Sequence, residues 1–199
     1  MTQIQQEHGK SGLLLIISGP SGVGKSTITH HLEKKLAGVF SVSVTTRPKA
    51  NCEVDGKDYF FLTREQFKRQ RDAGELLEWA EVFGNYYGTP AQPVLQALAR
   101  GDLVLLEIDV KGAIQVKGKI PEAFAVFVLP PDEDTLLERL RQRGRDDEKT
   151  IQSRLSESRN EIARGHACGI YQTFIINDQL QQTAEKTVTL VCDMLNRSY

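Results

Sequence analysis

Eight consecutive residues have the types and spacing to hold a polyphosphate: Gly19-Pro20-Ser21-Gly22-Val23-Gly24-Lys25-Ser26. The glycines let the backbone curl until successive N–H groups point at one anion. Lys25 adds a full positive charge where the β- and γ-phosphates of a nucleoside triphosphate would lie, and the Ser26 hydroxyl is a ligand for Mg²⁺. The loop follows an apolar run, Leu13 to Ile17, and leads into a segment with apolar residues at helical spacing, Ser26 to Leu36. A strand before and a helix after are what such a loop requires, because the helix N-terminus carries partial positive charge toward the phosphates. A phosphate loop alone permits a hydrolase, a switch, a motor or a kinase.

Other residues narrow that choice. Thr45-Thr46-Arg47 follows a predicted strand, and an arginine there can grip a second phosphate with both arms of its guanidinium. Tyr59 and Tyr86-Tyr87 offer phenol hydroxyls and flat rings. Glu78 is an acid within Leu76-Leu77-Glu78-Trp79-Ala80, and a carboxylate facing a pocket can accept two hydrogen bonds from the adjacent N–H donors of a guanine edge, a pattern adenine lacks.

The elements that must position these groups follow from periodicity. Leu103 to Asp109 reads as a second buried strand ending in acid, Ala123 to Leu129 as a third and Phe174 to Ile176 as a short fourth. Helices are predicted over Val94–Arg100, Asp132–Arg141, about Lys149–Arg164 and Thr183–Leu195, with Asn177-Asp178 as turn and N-cap of the last. Thr63 to Gln66 has capping-box spacing for a short helix ended by Gly74. From Val39 to about Pro90 the texture changes to β-branched pairs, aromatics and charges, which marks a small mixed insertion. Strands joined through helices predict an α/β fold, an open parallel sheet covered on both faces with ligands at the strands' carboxyl ends.

Composition bounds the partners. The chain has 199 residues, enough for one domain with insertions, and 25 Lys+Arg against 26 Asp+Glu leave no broad basic surface for nucleic acid or membrane. Cys52, Cys168 and Cys192 lie far apart, as expected in a reducing cytoplasm. His166 and Cys168 lack a second ligand pair and carry no metal assignment. Met1 to Ser11 is read as a polar tail, without a secretion signal or membrane span. Self-association into a homo-oligomer is compatible with all of this.

From Leu13 to the last helix the chain resembles the guanylate kinase family. The resemblance rests on Gly19 to Thr27, Ser41-Val42-Ser43-Val44-Thr45-Thr46-Arg47, Glu53-Val54-Asp55-Gly56-Lys57-Asp58-Tyr59, Leu77-Glu78-Trp79-Ala80-Glu81, Gly84-Asn85-Tyr86-Tyr87-Gly88-Thr89, Leu105-Leu106-Glu107-Ile108-Asp109 and Ile176-Asn177-Asp178. It implies a P-loop NTPase-type core (13–42 and 90–199), a GMP-binding insertion (43–89) and a helical lid (139–155). It further implies Mg-dependent transfer of the ATP γ-phosphoryl group to GMP and dGMP.

Carried over position by position, Gly19, Pro20, Ser21, Gly22, Val23, Gly24, Lys25, Ser26 and Thr27 bind ATP. Arg47, Tyr59 and Tyr87 hold the GMP phosphate, while Ser43, Glu78 and Thr89 read the base. Asp109 helps to organise GMP and, through water, Mg²⁺ held by Ser26, with Glu107 a weaker candidate beside it. Lys25, Arg47, Arg139, Arg143 and Arg154 surround the transferring group. The family pattern has a second arginine where this chain has Ala50, a glycine at Cys52 and commonly a polar residue at Val44. A raised Michaelis constant for GMP is therefore expected, with Lys49 as a partial substitute. Two other readings compete: a non-catalytic module that binds phosphopeptides in the old GMP site, and a kinase acting on another phosphorylated acceptor. The retained Gly24-Lys25-Ser26 argues against the first, and Glu78 with Ser43 against the second.

Overall fold

The computed structural model describes residues 12–82, 84–142, 144 and 147–197. The predicted tail at 1–11 and Arg143 and Arg145 of the arginine-rich turn lie outside the described residues.

A five-stranded sheet, parallel throughout, forms the centre. Its strands are β1 (Leu13–Ser18), β2 (Val39–Phe40), β7 (Leu103–Glu107), β8 (Phe124–Leu129) and β9 (Thr173–Ile176), in the order β2-β7-β1-β8-β9. The middle strands are apolar on both faces because helices cover both. Leu14, Ile16, Val104, Leu106 and Ala125 pack toward one side, Leu15, Ile17, Leu105, Val126 and Val128 toward the other. The first face is covered by α3 (Ala91–Ala99) and α4 (Val110–Lys119), the second by α1 (Lys25–Leu36) and α7 (Leu180–Arg197).

A four-stranded sheet is built from the stretch after β2. It contains β3 (Val44–Thr45), β4 (Phe60–Phe61), β5 (Leu76–Val82) and β6 (Asn85–Pro90), in the order β4-β3-β6-β5, with α2 (Arg64–Asp72) against it. The capping box predicted at Thr63 is present, with Thr63 and Gln66 bonding each other's backbone N–H. Phe67, fully buried, packs with Val44 and Leu76 in a small separate core. Val44 is thus an interior residue here, which accounts for an apolar side chain at a position commonly polar in the family.

The small sheet is fastened to the large one through α4. The Gln115 side-chain amide accepts from Trp79 N (3.2 Å) and donates to Trp79 O (2.9 Å), and the Lys119 ammonium donates to Leu76 O (2.9 Å). A third apolar cluster, Leu136, Leu140, Ile151 and Leu155, joins α5 (Glu133–Gln142) to α6 (Glu148–Ala167).

The final helix departs from its sequence prediction at its start. It opens at Leu180 rather than Thr183, and the Asn177 side chain does not cap it. Asn177 is buried and donates instead to Val23 O (2.7 Å), tying the end of β9 to the phosphate loop. Val39-Phe40, which the change of texture had placed with the insertion, pairs with β7 in the large sheet. Among the described residues, no helix is long and apolar enough to cross a membrane.

Candidate active site

The loop from Gly19 to Gly24 leaves the end of β1 and runs into α1. Gly19 has φ +141°, and a Cβ there would come within 2.2 Å of Val128 O, so the loop can lie against β8 only without a side chain at this position. Lys25 folds back over the loop, and its ammonium donates to Gly19 O (2.5 Å) and Pro20 O (3.1 Å). Those carbonyls hold the charge over the loop. Ser26 Oγ donates to Glu107 Oε1 (2.9 Å), so the acid expected to be the weaker candidate is the one that touches the serine expected to hold the metal. Val23 is buried and Thr27 exposed on α1.

A cavity of about 690 Å³ spans from this loop to the small sheet. It brings together Ser21, Gly22, Gly24, Lys25 and Ser26 with Ser43, Tyr59, Glu78, Tyr87, Glu107, Asp109 and Arg154. Residues of both predicted sites therefore face one space, although Arg47 and Thr89 do not line it.

Glu78 lies on β5, 5% exposed, and Oε1 accepts from the Thr89 hydroxyl at 2.6 Å. Burial pushes its carboxyl up to about 7, assisted by the nearby Asp109 charge and opposed by the Thr89 hydrogen bond. Oε2 points at Gly112 of α4, where an added Cβ would sit 2.7 Å away. The same Gly112 donates its N–H to Asp109 Oδ1 (2.7 Å). A glycine here lets the two carboxylates approach from opposite sides, Asp109 as N-cap of α4 and Glu78 from the small sheet. Asp109 thus both caps a helix and lines the cavity.

Behind Tyr59 and outside the cavity lining, Arg47 makes a two-armed ion pair with Glu53, at 2.6 and 3.0 Å, and Glu53 also accepts from Ala50 N (2.8 Å). The Arg47 hydrogen bonds hold the Glu53 carboxyl below its usual range. The guanidinium lies 5.6 Å from the Tyr59 ring centre, and Tyr59 meets Tyr87 edge to face at 5.9 Å. Desolvation raises the Tyr59 hydroxyl above its usual range, so it is a neutral donor to an anion. Glu53 belongs to a stretch on which the resemblance rests, yet its role as the aligning partner of Arg47 was not anticipated. The signal was an acid six residues after a single arginine.

Ala50 is exposed in the turn beside this pair, and the Lys49 ammonium donates to Glu53 O (3.1 Å), a structural use. Position 50 therefore supplies no second fork beside Arg47. Ala50→Arg is expected to lower the Michaelis constant for GMP by about tenfold, the value of one charge-assisted contact of ~1.5 kcal/mol, with kcat little changed. Steady-state kinetics at saturating ATP check this, and an unchanged constant overturns it.

Arg139 is not in the large cavity. Its two arms donate to Asn177 O and Asp178 O, both 2.9 Å, and it lines a second cavity of about 360 Å³ with Gly22, Val23, Gly24 and Leu180. Arg154 does line the large cavity, from α6. His166 and Cys168 hold no metal cluster: the His166 ring stacks on Phe174 at 4.5 Å, and Cys168 Sγ donates to Gly165 O. Among the described residues, no three His, Cys, Asp or Glu side chains gather for a metal ion.

The glycine-rich loop with Lys25 and the buried Glu78 share one cavity, and the chain around them has known relatives. The guanylate kinase family profile covers residues 11–194. The chain belongs to the guanylate kinase family. It is 50% identical over 171 residues to a guanylate kinase of Carboxydothermus hydrogenoformans, covering 85% of this chain and 82% of that one. It is 46% identical over 179 residues to a guanylate kinase of Gloeobacter violaceus, covering 89% and 86%. The crystal structure of guanylate kinase from Anaplasma phagocytophilum matches the fold with a TM-score of 0.74 at 33% identity, over 94% of this chain and 87% of that one. As a guanylate kinase family member, the chain is a phosphotransferase of the nucleoside monophosphate kinase class, a class that needs ATP and a divalent metal.

Proposed function

We propose that the cavity is a two-substrate transfer site in which the γ-phosphoryl group of ATP passes to GMP, and to dGMP, giving ADP and GDP or dGDP. The observation that carries this reading is Glu78: a buried carboxylate, oriented by Thr89, facing the same cavity as Lys25. ATP lies with its phosphates on the loop from Gly19 to Ser26 and Thr27. GMP lies with its phosphate on Arg47, Tyr59 and Tyr87, and its base against Ser43, Glu78, Thr89 and Asp109. We assign residues 43–89 as the acceptor segment, 139–155 as the lid and the remainder of 13–199 as the core.

The reaction needs alignment and charge neutralisation more than covalent help. A GMP phosphate oxygen attacks the γ-phosphorus in line while the bond to the bridging oxygen of ADP breaks. Lys25 leaves the carbonyls of Gly19 and Pro20 and follows the charge onto the β- and γ-oxygens. Arg47 keeps the attacking phosphate fixed, with Glu53 holding its fork in register. Arg139, Arg143 and Arg154 close over the transferring group and exclude water that would otherwise accept it.

The donor set near the loop is Ser26 Oγ, Glu107 and Asp109, all oxygen, which suits a hard cation such as Mg²⁺. Ser26 would bind it directly and Asp109 through water. When bound, such an ion would offset the charge of the phosphates. A cytoplasmic location, with no nucleic acid or membrane partner, completes the reading.

A coupled assay of ADP release with MgATP tests it, using GMP, dGMP, AMP and ribose phosphate as acceptors in parallel. GMP and dGMP are expected to be used and AMP to be rejected by at least a hundredfold in kcat/KM. Equal use of AMP overturns the base assignment, and phosphopeptide binding without turnover overturns transfer altogether.

A further inference from the structure

The established family reaction gives no task to Glu161, an acid that lines the cavity. Glu161 lies on α6, two turns beyond Arg154, and its half-buried carboxyl opens into the large cavity on the side of the phosphate loop. Among the described residues it makes no hydrogen bond and no ion pair. This end of α6 is seated on the core, since Ser158 is buried and a Cβ on Gly165 would strike the Phe127 ring at 2.6 Å. The carboxyl is therefore held where the triphosphate must enter.

A negative carboxylate beside three phosphates is repelled, while a neutral carboxyl can donate its O–H to a phosphate oxygen. We infer that Glu161 is a further ligand-binding residue, which takes a proton from solvent as MgATP binds and contacts the phosphates as the neutral acid. This rests on the reading of the loop as the ATP site.

The groups facing Glu161 come from every neighbouring element. Lys25 approaches from α1, Asp109 from the start of α4, Glu157 and Arg164 from α6, and Tyr171 from the segment before β9. Lys25 and Arg164 favour the charged form, and Asp109 and Glu157 the neutral one. Burial outweighs them and pushes the carboxyl up to about 7 before any phosphate arrives. Tyr171 Oη and Ser18 Oγ, both buried, make no hydrogen bond to the carboxyl. When MgATP enters, Lys25 turns to the phosphates and one source of support for the charged form is lost.

The test is calorimetric titration of the full chain with MgATP at pH 6 and pH 8, in buffers of different ionisation enthalpy, beside Glu161→Gln. Glu161→Gln reports the nucleotide's own pH dependence. Relative to it, the parent is expected to bind MgATP about tenfold more weakly at pH 8 than at pH 6, as a carboxyl titrating at about 7 requires. The parent should also take up a proton at pH 8 that the variant does not. Equal proton uptake and equal pH dependence in the two proteins overturn the inference, as does a variant that binds more weakly at both pH values. If the variant does not fold, infrared difference spectra of the parent decide: a protonated-carboxyl band should grow on adding MgATP at pH 8, and its absence overturns the inference. If the parent binds no MgATP, the loop assignment falls and this inference with it. Tight binding without proton uptake removes the role of Glu161 alone.

Discussion

Replacing Lys25 by alanine is expected to lower kcat about a thousandfold while leaving the fold intact. The ammonium provides the mobile positive charge of the loop, and loss of one pre-organised charge at a transferring phosphoryl group costs on the order of 3–4 kcal/mol in the transition state. Its structural role is small. In the absence of nucleotide it bonds two backbone carbonyls that face the cavity, worth about 1 kcal/mol together once water replaces it. Thermal unfolding should therefore shift by a few degrees at most, while GMP affinity, governed at the other end of the cavity, stays unchanged. Turnover within tenfold of the parent sinks the assignment of Lys25.

Glu78→Gln should separate function from stability in opposite directions. The guanine edge presents donors, and an amide answers one of them with a donor of its own. The expected loss in kcat/KM for GMP is roughly a hundred- to a thousandfold, or about 3–4 kcal/mol. For the folded protein the carboxylate is a burden. Its carboxyl is raised from 4.5 to about 7 in the native state, so the native chain holds this proton more tightly than the unfolded one. Stability is full below pH 4.5, and roughly 3 kcal/mol of it is lost as pH rises through 7. The glutamine lacks this loss and should unfold at higher urea than the parent at pH 8, with little difference at pH 5. Equal urea midpoints at pH 8 overturn the stability half, and unchanged preference for GMP over AMP overturns the other. The ionised form is the one that accepts two N–H groups, so GMP binding by the parent should strengthen as pH rises through 7. This is the reverse of the slope expected for MgATP.

Much of this was legible in the sequence because it is local. The phosphate loop declares itself by spacing within eight residues, the capping box at Thr63 within four, and the buried strands by their unbroken apolar runs. Glu78 stood out because an acid between apolar neighbours on a strand needs a reason to be there. Asp109 was read as a site acid, and one oxygen of its carboxylate also caps α4.

What escaped depends on distance along the chain. Nothing near Gln115 points to Trp79, 36 residues earlier, and the Asn177 side chain reaches Val23 across 154 residues in place of capping its own helix. Arg139 lies in the last turn of α5, but only the folded chain shows its fork on the carbonyls of Asn177 and Asp178. Glu161 looked like one charge among many on a polar helix, and its burial exists only once α6 lies over the loop. Short strands were missed for a related reason. Two residues, as at Val39-Phe40, are too few to show a period.

The clasp of Gln115 and Lys119 on β5 also guards against misassembly. β5 is the outer strand of the small sheet, and an outer strand with free N–H and C=O groups is a template on which another chain can add. Three of those groups, Trp79 N, Trp79 O and Leu76 O, are occupied by side chains of α4. A helix thus stands where a further strand would dock, and this edge of the small sheet is closed to strand addition from neighbouring molecules.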